Sequence, residues 1–251
     1  MSKDRKDIKL VIKRQANPQS NPYNEEFLIP YFPKMNVVAA LMEIQKNPVN
    51  AKGEVTTPVA WECNCLEEVC GACTMVINGQ ARQACSALVD RLTQPIHLAP
   101  LSKFPLVQDL VVNRQVMFDN LRKVKAWIEI DGTHDMGPGP RVSPQVQEQA
   151  YALSKCMTCG CCMESCPNVN SKSKFMGPAP IAQVDLMNSH PTGALQRERR
   201  LEALMNEGGI ADCGNAQNCI KVCPKEVPLT RSIARLNRAT MLYGIKAWLN
   251  K

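Results

Sequence analysis

Twelve residues in the second half of the chain constrain its structure more than any other stretch. They run from Cys156 to Pro167 and hold five of the thirteen cysteines. Cys156, Cys159, Cys162 and Cys166 have the spacing Cys-x2-Cys-x2-Cys-x3-Cys-Pro. In this spacing three thiolates hold one cubane iron–sulfur cluster, and the fourth thiolate reaches a second cluster. The segment therefore predicts a partner segment elsewhere in the chain.

The grouping of the cysteines favours metal ligation over disulfide bonding. Five lie within residues 63–85, five within 156–166 and three within 213–223. Disulfides are rare in intracellular proteins, and a disulfide scaffold has no use for the adjacent pair Cys161 and Cys162. Three ligand groups along one chain predict more than one metal centre.

Charge and hydropathy restrict the location and the partners. The net charge is +7, but no dense basic block with interleaved aromatic residues occurs, so we expect no nucleic-acid binding. No stretch approaches the ~20 apolar residues that span a bilayer. The first nine residues mix charges of both signs, which is not typical of a signal or transit segment. We therefore expect a cytoplasmic protein that docks on partners.

The first cysteine group predicts a [2Fe–2S] site. Cys65, Cys70, Cys73 and Cys85 have the spacing Cys-x4-Cys-x2-Cys-x11-Cys, and the first three match the plant-type pattern. The alternative is a zinc site with four thiolate ligands, although such sites usually pair two short Cys-x2-Cys knuckles. Cys63 is then surplus, and we expect it to be a partly buried free thiol.

The third group completes the other sites when it is aligned with the second. Cys213, Cys219 and Cys223 occupy the first, third and fourth ligand positions, whereas the second position falls on Ala216. In the crossed arrangement the fourth cysteine of each run serves the other cluster. One site is then complete and is predicted to hold [4Fe–4S] through Cys156, Cys159, Cys162 and Cys223. The other is one thiolate short and is predicted to hold [3Fe–4S] through Cys166, Cys213 and Cys219.

The N-terminal part predicts a small β-grasp domain. Asp7–Arg14 alternates as a strand, residues 17–24 form a loop, and residues 27–29 return as the second strand of a hairpin. Asn36 is expected to cap a helix, and Thr74–Ile77 is expected to be a strand after the first cysteine group. Strand, strand, helix, cysteine loop and hairpin is the order of a β-grasp ferredoxin domain.

The C-terminal part predicts an α-helical domain of the bacterial-ferredoxin type. Residues 127–130 are expected to be extended, residues 137–140 a turn, and Val116, Phe118, Leu121 and Val124 the buried face of a helix. Further helices are expected over Pro144–Ser154, 181–189, 193–206 and 229–248. The fold class is thus α+β, with a [2Fe–2S] domain over 1–105 and a helical domain carrying the other two clusters over 106–251.

The chain resembles the iron–sulfur subunit of succinate dehydrogenase and fumarate reductase, the complex II family. The resemblance extends over nearly the whole length and includes the three-ligand last group. It is most similar to the menaquinone-linked enzymes of Gram-positive bacteria. The residues that carry this likeness are Asn64-Cys65-Leu66-Glu67-Glu68-Val69-Cys70-Gly71-Ala72-Cys73 and Cys166-Pro167-Asn168-Val169-Asn170-Ser171.

The resemblance implies an electron-transfer subunit of a succinate:quinone oxidoreductase, with the dicarboxylate chemistry in a partner and no catalytic residue here. Electrons would leave an FAD-containing flavoprotein subunit, pass through the [2Fe–2S], [4Fe–4S] and [3Fe–4S] centres and reach menaquinone or another quinone. The implied partners include a membrane-anchor cytochrome b subunit, on the cytoplasmic face of the bacterial cell membrane, where this chain would be peripheral. The alternatives are a quinol:fumarate reductase working in reverse and a zinc-stabilised scaffold without redox function.

The resemblance also implies a candidate quinone-site lining at Pro167, Ser171, Gly214 and Ala216. Several quinone-reducing relatives place a tryptophan at the position of Ser171 and a histidine at that of Gly214. Because this chain departs from both, the alternative is that quinone binds mainly in the membrane subunits.

Overall fold

The computed structural model describes residues 7–129 and 140–250, which pack as two compact units. The first unit comprises the chain up to Arg114 together with Met157–Glu164. The second comprises Gln115–Cys156 and Ser165–Lys251. The second cysteine group is thus divided between the units. The domain boundary at residue 105 stays a prediction, because packing units and cluster-binding domains are different divisions of a chain.

A five-stranded mixed sheet forms the framework of the first unit. Its strands are β1 (Asp7–Arg14), β2 (Tyr23–Pro30), β3 (Thr74–Ile77), β4 (Gln80–Gln83) and β5 (Ile96–Ala99). Their spatial order is β2-β1-β5-β3-β4, in which β1 and β5 run parallel and the other neighbours antiparallel. The predicted strand at 27–29 is confirmed within the longer β2. The predicted loop at 17–24 is wrong at its last two residues, because these already pair with the end of β1.

One helix packs on this sheet and completes the β-grasp arrangement. The helix α1 (Val37–Lys46) begins where Asn36 Oδ1 accepts the N–H of Ala39 at 2.8 Å, which confirms the predicted cap. The Asn36 amide also donates to the carbonyl of Cys85 at 2.8 Å. A single side chain thereby joins the start of α1 to the last cysteine of the first group. A two-stranded ribbon, β6 (Leu106–Gln108) and β7 (Val111–Val112), follows.

A buried arginine connects the sheet to the segment that leads into the first cysteine group. Arg14 is 2% exposed, donates to Asp109 Oδ1 at 3.0 Å and pairs with Glu25 at 2.5 Å. Asp109 in turn accepts the backbone N–H groups of Gln15 at 3.0 Å and Ala60 at 2.9 Å. These contacts fix the chain just before the first cysteine group against β1.

Helices dominate the second unit. In chain order the helices after α1 are α2 (Gln115–Lys123), α3 (Pro144–Ser154), α4 (Cys161–Glu164, in the first unit), α5 (Pro178–Ser189), α6 (Pro191–Ala194), α7 (Arg197–Met205), α8 (Asn218–Lys221) and α9 (Leu229–Leu249). The predicted helix over 193–206 is wrong as a single element, since α6 and α7 are separate. Helix α5 begins three residues before the predicted start, with Pro178 in its first turn, where proline is tolerated.

The predicted buried face of helix α2 is wrong in part. Helix α2 is present, but Phe118 is 53% exposed, and the buried side chains in this stretch are Met117, Asn120 and Val124. Asn120 is turned inward because its amide donates to the carbonyl of Met176 at 3.0 Å. Residues 127–129 of the predicted extended segment lie in no helix or strand, so their extended conformation stays a prediction. Ile130 lies outside the described residues, as do residues 137–139 of the predicted turn.

Helices α5 and α9 are joined through a buried carboxylate. Asp185 accepts from the Ser232 hydroxyl at 2.6 Å and pairs with Arg235. In the same unit Arg200 is 1% exposed, although it lies in the charged run Arg197–Arg200. Within residues 7–129 and 140–250, no helix is both long enough and apolar enough to cross a bilayer.

Candidate cluster-binding sites

Three backbone N–H groups converge on the sulfur of Cys65. They belong to Glu67, Val69 and Cys70, and they lie 3.4, 3.3 and 3.3 Å from the sulfur. Hydrogen bonds to the charged form favour ionisation, so these contacts lower the pKa of the Cys65 thiol to about 7. A fourth N–H, from Ala72, approaches the sulfur of Cys70 at 3.4 Å. The loop therefore directs backbone N–H donors at the sulfurs of two predicted ligands, Cys65 and Cys70.

The loop conformation explains why its amides point inward. Leu66, Glu68 and Gly71 have φ values of 60°, 56° and 74°, in the left-handed region. Alternation of right- and left-handed residues turns successive N–H groups to one side and forms an anion-binding concavity. The hydroxyl of Ser86 donates to the Glu68 carboxylate, which holds the loop next to Cys85.

Cys73 and Cys85 bring the β3–β4 hairpin to the same site. Both thiols are buried, and burial raises the pKa of Cys85 to about 11, helped by the Cys73 side chain. Cys65 also acts electrostatically on Cys85, and Cys70 acts on Cys65, so the four predicted ligands lie together. A donor set of four thiols within an amide-lined loop fits a [2Fe–2S] cluster, whose sulfurs accept hydrogen bonds. Cys63 is exposed, so its predicted partial burial is wrong.

The segment Met157–Glu164 is attached to the first unit by its last residue. The Glu164 carboxylate accepts the N–H and the hydroxyl of Ser102 at 2.9 and 2.6 Å, and the N–H of Lys103 at 3.0 Å. Gly160 has a φ of 93°, and an added Cβ would lie 3.0 Å from the Phe104 ring. These contacts hold α4, with Cys161 and Cys162, against the end of the β-grasp part.

Cys159 and Cys161 differ in acidity although one residue separates them. The Cys161 thiol, with help from backbone groups and the Arg114 guanidinium, lowers the pKa of Cys159 to about 7 against the effect of burial. Interaction with the Cys159 sulfur, together with burial, raises the pKa of Cys161 far above its ordinary value. Cys159 is therefore the more acidic thiol of this pair. Cys159 is one of the predicted [4Fe–4S] ligands, whereas Cys161 belongs to neither predicted ligand set, and these roles stay predictions.

The four cysteines predicted for [4Fe–4S] belong to different units. Cys159 and Cys162 lie in the first, whereas Cys156 and Cys223 lie in the second. The Cys223 sulfur accepts the N–H of Val227 at 3.4 Å, the kind of donor that a cluster ligand uses. The grouping of these four residues stays a prediction.

Cys166, Cys213 and Cys219 lie together in the second unit. Burial raises the pKa of Cys219 to about 11, and Cys166 and Cys213 raise it further through their charges. The Asn218 amide donates to the carbonyl of Ser165 at 3.1 Å, so the start of α8 is fixed beside Cys166. These three neighbouring thiols are the ones predicted to hold [3Fe–4S], and that assignment stays a prediction.

The residues predicted to line a quinone site are all solvent-exposed: Pro167, Ser171, Gly214 and Ala216. The Asn168 side chain occupies the space beside Gly214, where an added Cβ would lie 2.8 Å from Asn168 Oδ1. Its amide donates to the carbonyl of Asp212 at 2.9 Å. In this chain an asparagine therefore fills the space that a side chain at position 214 would need.

Two polar residues at the first site escaped the sequence analysis. Gln83 is fully buried between Cys73 and Cys161, and Arg114 donates to the carbonyls of Gly71 and Ala72 at 2.9 and 2.8 Å. Alternation along β4 indicates an inward-facing Gln83, which was the available signal. Nothing in the local sequence indicates the role of Arg114.

Among the described residues, no group of three or more His, Cys, Asp and Glu side chains could hold a single metal ion. Cluster ligation does not require such a group, because no iron atom of these clusters binds more than two protein thiolates.

Two family models of iron–sulfur domains match the chain. A 2Fe-2S iron-sulfur cluster binding domain family matches residues 9–119, and a 4Fe-4S dicluster domain family matches residues 152–227. The [2Fe–2S] and [4Fe–4S] predictions are confirmed at the level of these domains. The α+β fold class is confirmed by the same matches and by the observed sheet and helices.

Similar proteins extend the match to the whole chain. The succinate dehydrogenase iron-sulfur subunit of Bacillus subtilis is 64% identical over 97% of this chain and 96% of its own length. The fumarate reductase iron-sulfur subunit of Wolinella succinogenes is 29% identical over 87% of this chain and 90% of its own. A chain of the Mycobacterium smegmatis Sdh1 complex in the apo form shares the fold, with a TM-score of 0.79, 21% identity, and coverage of 94% and 96%. The chain belongs to the family of succinate dehydrogenase iron–sulfur subunits.

Proposed function

We propose that this chain is the electron-transfer subunit of a succinate:quinone oxidoreductase. When bound, its clusters carry electrons one at a time from an FAD-containing flavoprotein subunit to menaquinone. The chain's own residues hold the clusters, set the charge around them and present them to the partners. Succinate is oxidised in the flavoprotein subunit, and no residue of this chain makes or breaks a bond of the substrate.

The observation that carries the proposal is the Cys65 sulfur with three backbone N–H groups directed at it. A free surface thiol does not collect three amide donors, whereas a cluster thiolate needs them to balance its negative charge. We assign the [2Fe–2S] centre to Cys65, Cys70, Cys73 and Cys85 in the domain over residues 1–105.

The other two centres are assigned to the domain over residues 106–251. The crossed spacing supports a [4Fe–4S] centre on Cys156, Cys159, Cys162 and Cys223. The electrostatic effects of Cys166 and Cys213 on Cys219 support a [3Fe–4S] centre on these three thiols. With Ala216 instead of a cysteine at the second position of the third group, the site offers one negative ligand fewer, and we expect the highest potential of the three there.

Exposed surfaces of the second unit support an attachment to a membrane-anchor cytochrome b subunit. The candidate quinone residues Pro167, Ser171, Gly214 and Ala216 are exposed on the unit that carries the three-thiol group. The last turns of α9 expose the apolar side chains of Met241, Leu242, Ile245, Trp248 and Leu249. We place the chain as a peripheral subunit on the cytoplasmic face of the cell membrane. Quinone would then reach the [3Fe–4S] end, with most of its pocket in the anchor.

The relatives favour succinate oxidation over fumarate reduction. The succinate dehydrogenase subunit is 64% identical, whereas the fumarate reductase subunit is 29% identical. The reverse reaction would use the same cysteines, so direction depends on the quinone and the flavoprotein rather than on these ligands.

The test is to isolate the chain with its bound partners from its host membrane. Succinate-dependent reduction of a menaquinone analogue is then measured with and without a competitive dicarboxylate. We expect a flavoprotein to co-purify, with quinone reduction that the dicarboxylate inhibits. A preparation that contains zinc instead of iron, or that lacks a flavoprotein, would contradict the proposal.

A further inference from the structure

Gln83 lies between two cysteine sulfurs in the interior of the first unit. It is the last residue of β4 and is fully buried. The Cys73 sulfur approaches its Oε1 at 3.5 Å, and its Nε2 approaches the Cys161 sulfur at 3.8 Å. The same Nε2 donates to the Thr74 hydroxyl at 2.7 Å. A buried amide that contacts a proposed cluster ligand acts on the charge of that ligand.

The observed orientation of the amide suits a protonated Cys73. In it the Cys73 thiol donates to Oε1, but a cysteine that ligates iron has lost its proton and accepts hydrogen bonds only. Oε1 would then face the lone pairs of a thiolate without a proton between them. Rotation of the amide by half a turn exchanges its oxygen and nitrogen without moving the rest of the side chain.

We propose that Gln83 donates an N–H to the Cys73 sulfur in the cluster-loaded protein and thereby raises the reduction potential of the [2Fe–2S] centre. This inference rests on the proposed function, because it takes Cys73 as a cluster ligand. One-electron reduction adds one negative charge to the centre. A hydrogen bond to a ligating sulfur stabilises this charge, and hydrogen bonds of this kind are known to set cluster potentials.

The surrounding hydrogen bonds accommodate the rotated amide. In the observed orientation Thr74 Oγ1 donates to the carbonyl of Gly71 at 2.7 Å and accepts from Gln83 Nε2. After the rotation Thr74 Oγ1 would donate instead to Oε1 of Gln83. The Gly71 carbonyl keeps a donor, because Arg114 Nη1 lies 2.9 Å from it. No buried polar group in this network loses its last partner, so the rotation carries no large desolvation penalty.

The [3Fe–4S] centre serves as an internal reference for this effect. Cys161, on the other side of Gln83, belongs to neither predicted ligand set, and the two sulfurs that Gln83 contacts include none of the thiols assigned to [3Fe–4S]. A change at Gln83 should therefore move the potential of the [2Fe–2S] centre and leave that of the [3Fe–4S] centre unchanged.

The test compares Gln83→Leu with Gln80→Leu in the complete complex. Gln80 lies on the same strand and is exposed, so it controls for the substitution itself. The midpoint potential of each centre is measured by EPR during a redox titration. We expect Gln83→Leu to lower the reduced-to-oxidised ratio of the [2Fe–2S] centre threefold to tenfold at a fixed potential. This is a shift of about 30 to 60 mV, since tenfold corresponds to 59 mV for one electron. Gln80→Leu should leave it unchanged.

A second measurement uses the unmodified complex and does not depend on how the variant folds. Glutamine side-chain amides are labelled with 15N, and the reduced [2Fe–2S] centre is observed by pulsed EPR. We expect a 15N coupling from the side chain that donates to the Cys73 sulfur. Absence of this coupling, or a Gln83→Leu variant with its [2Fe–2S] signal present and an unchanged potential, would overturn the inference. An unmodified complex without any [2Fe–2S] signal contradicts the proposed function itself, so the two failures are distinguishable.

Discussion

Gly71 and Cys159 lie so close together that a single added methyl group on Gly71 would overlap the cysteine. An ideal Cβ would lie 2.9 Å from both the Cα and the Cβ of Cys159 and 3.2 Å from the carbonyl oxygen of Met157. The loop of the first cysteine group therefore packs directly on the segment that begins the second group, although more than eighty residues separate them. Glycine at position 71 allows this contact.

Replacement of Gly71 by alanine should disrupt the contact. Its φ of 74° already disfavours alanine by about 1 kcal/mol. Overlap with backbone and Cβ atoms of Cys159 adds about 1–3 kcal/mol. We expect a lower thermal midpoint and a partial loss of iron from the purified chain.

Gly53→Ala is the matched control for this change. Gly53 has a φ of 84°, but an added Cβ there meets no atom within 4 Å. Gly53→Ala therefore has the energetic cost of a positive φ at alanine, but no steric overlap with neighbouring atoms. Equal effects of the two substitutions on thermal midpoint and iron content would refute the importance of the Gly71–Cys159 contact.

Replacement of Ala216 by cysteine should restore a fourth ligand. Ala216 is exposed and lies between Asn215 and Gln217, both with positive φ, in the turn before α8. A cysteine there should convert [3Fe–4S] to [4Fe–4S] and lower the potential of the centre. EPR of the oxidised complex should then lose the three-iron signal, and the iron content should rise.

The control adds a thiol that cannot serve as a ligand. Ala247 is exposed on α9, and Ala247→Cys should leave the three-iron signal and the iron content as they are. If Ala216→Cys also left both unchanged, the crossed ligand assignment would be wrong.

Loss of the buried Arg14 should destabilise the first unit. Arg14→Met leaves Asp109 and Glu25 as uncompensated, buried carboxylates, which costs about 3–5 kcal/mol. Lys9→Met on the same strand removes a pair with Glu26 whose side chains are 41% and 50% exposed, and should cost less than about 1 kcal/mol. Thermal unfolding of the two variants measures the difference. Similar midpoints would show that the Arg14 pairs contribute little.

Arg200 should be far more sensitive to substitution than its neighbour Arg199. Arg200 donates to the carbonyls of Lys125, Gly193 and Trp127 at 3.0, 2.7 and 2.6 Å, so Arg200→Met leaves three acceptors without this donor. We expect a loss of about 3 kcal/mol. Arg199 makes a half-exposed pair with Glu129, and Arg199→Met should cost below about 1 kcal/mol. A thermal midpoint of Arg200→Met that matches that of Arg199→Met would contradict this role.

The sequence predicted local structure and ligand groups where a residue type or a spacing has one common structural role. Cysteine spacing predicted the ligand groups, and the alternation of Ile8, Leu10 and Ile12 predicted β1, because a strand has a period of two. Asn36 was recognisable as a helix cap, because only a few side chains accept the free N–H groups of a first turn.

Predictions failed where tertiary contacts decide the environment of a side chain. Phe118 fits an apolar helical face in sequence, yet Asn120 is buried because a carbonyl of a distant segment accepts from it. Arg200 resembles its charged neighbours in sequence, and only the carbonyls around it show that it is interior. In the sequence Gln83 resembles any other strand residue, and only the structure shows Cys73 and Cys161 on either side of it.

The central claim is that succinate delivers electrons through this chain to quinone, and EPR of the three-iron centre tests it most directly. The complex, isolated with its partners, is oxidised, mixed anaerobically with succinate and frozen for EPR. The account predicts that the oxidised three-iron signal disappears and that it returns when a menaquinone analogue is added in excess. A competitive dicarboxylate present before the succinate should preserve the signal throughout. A three-iron signal that succinate leaves unchanged, in a complex whose flavoprotein still oxidises succinate with an artificial dye, would contradict the claim.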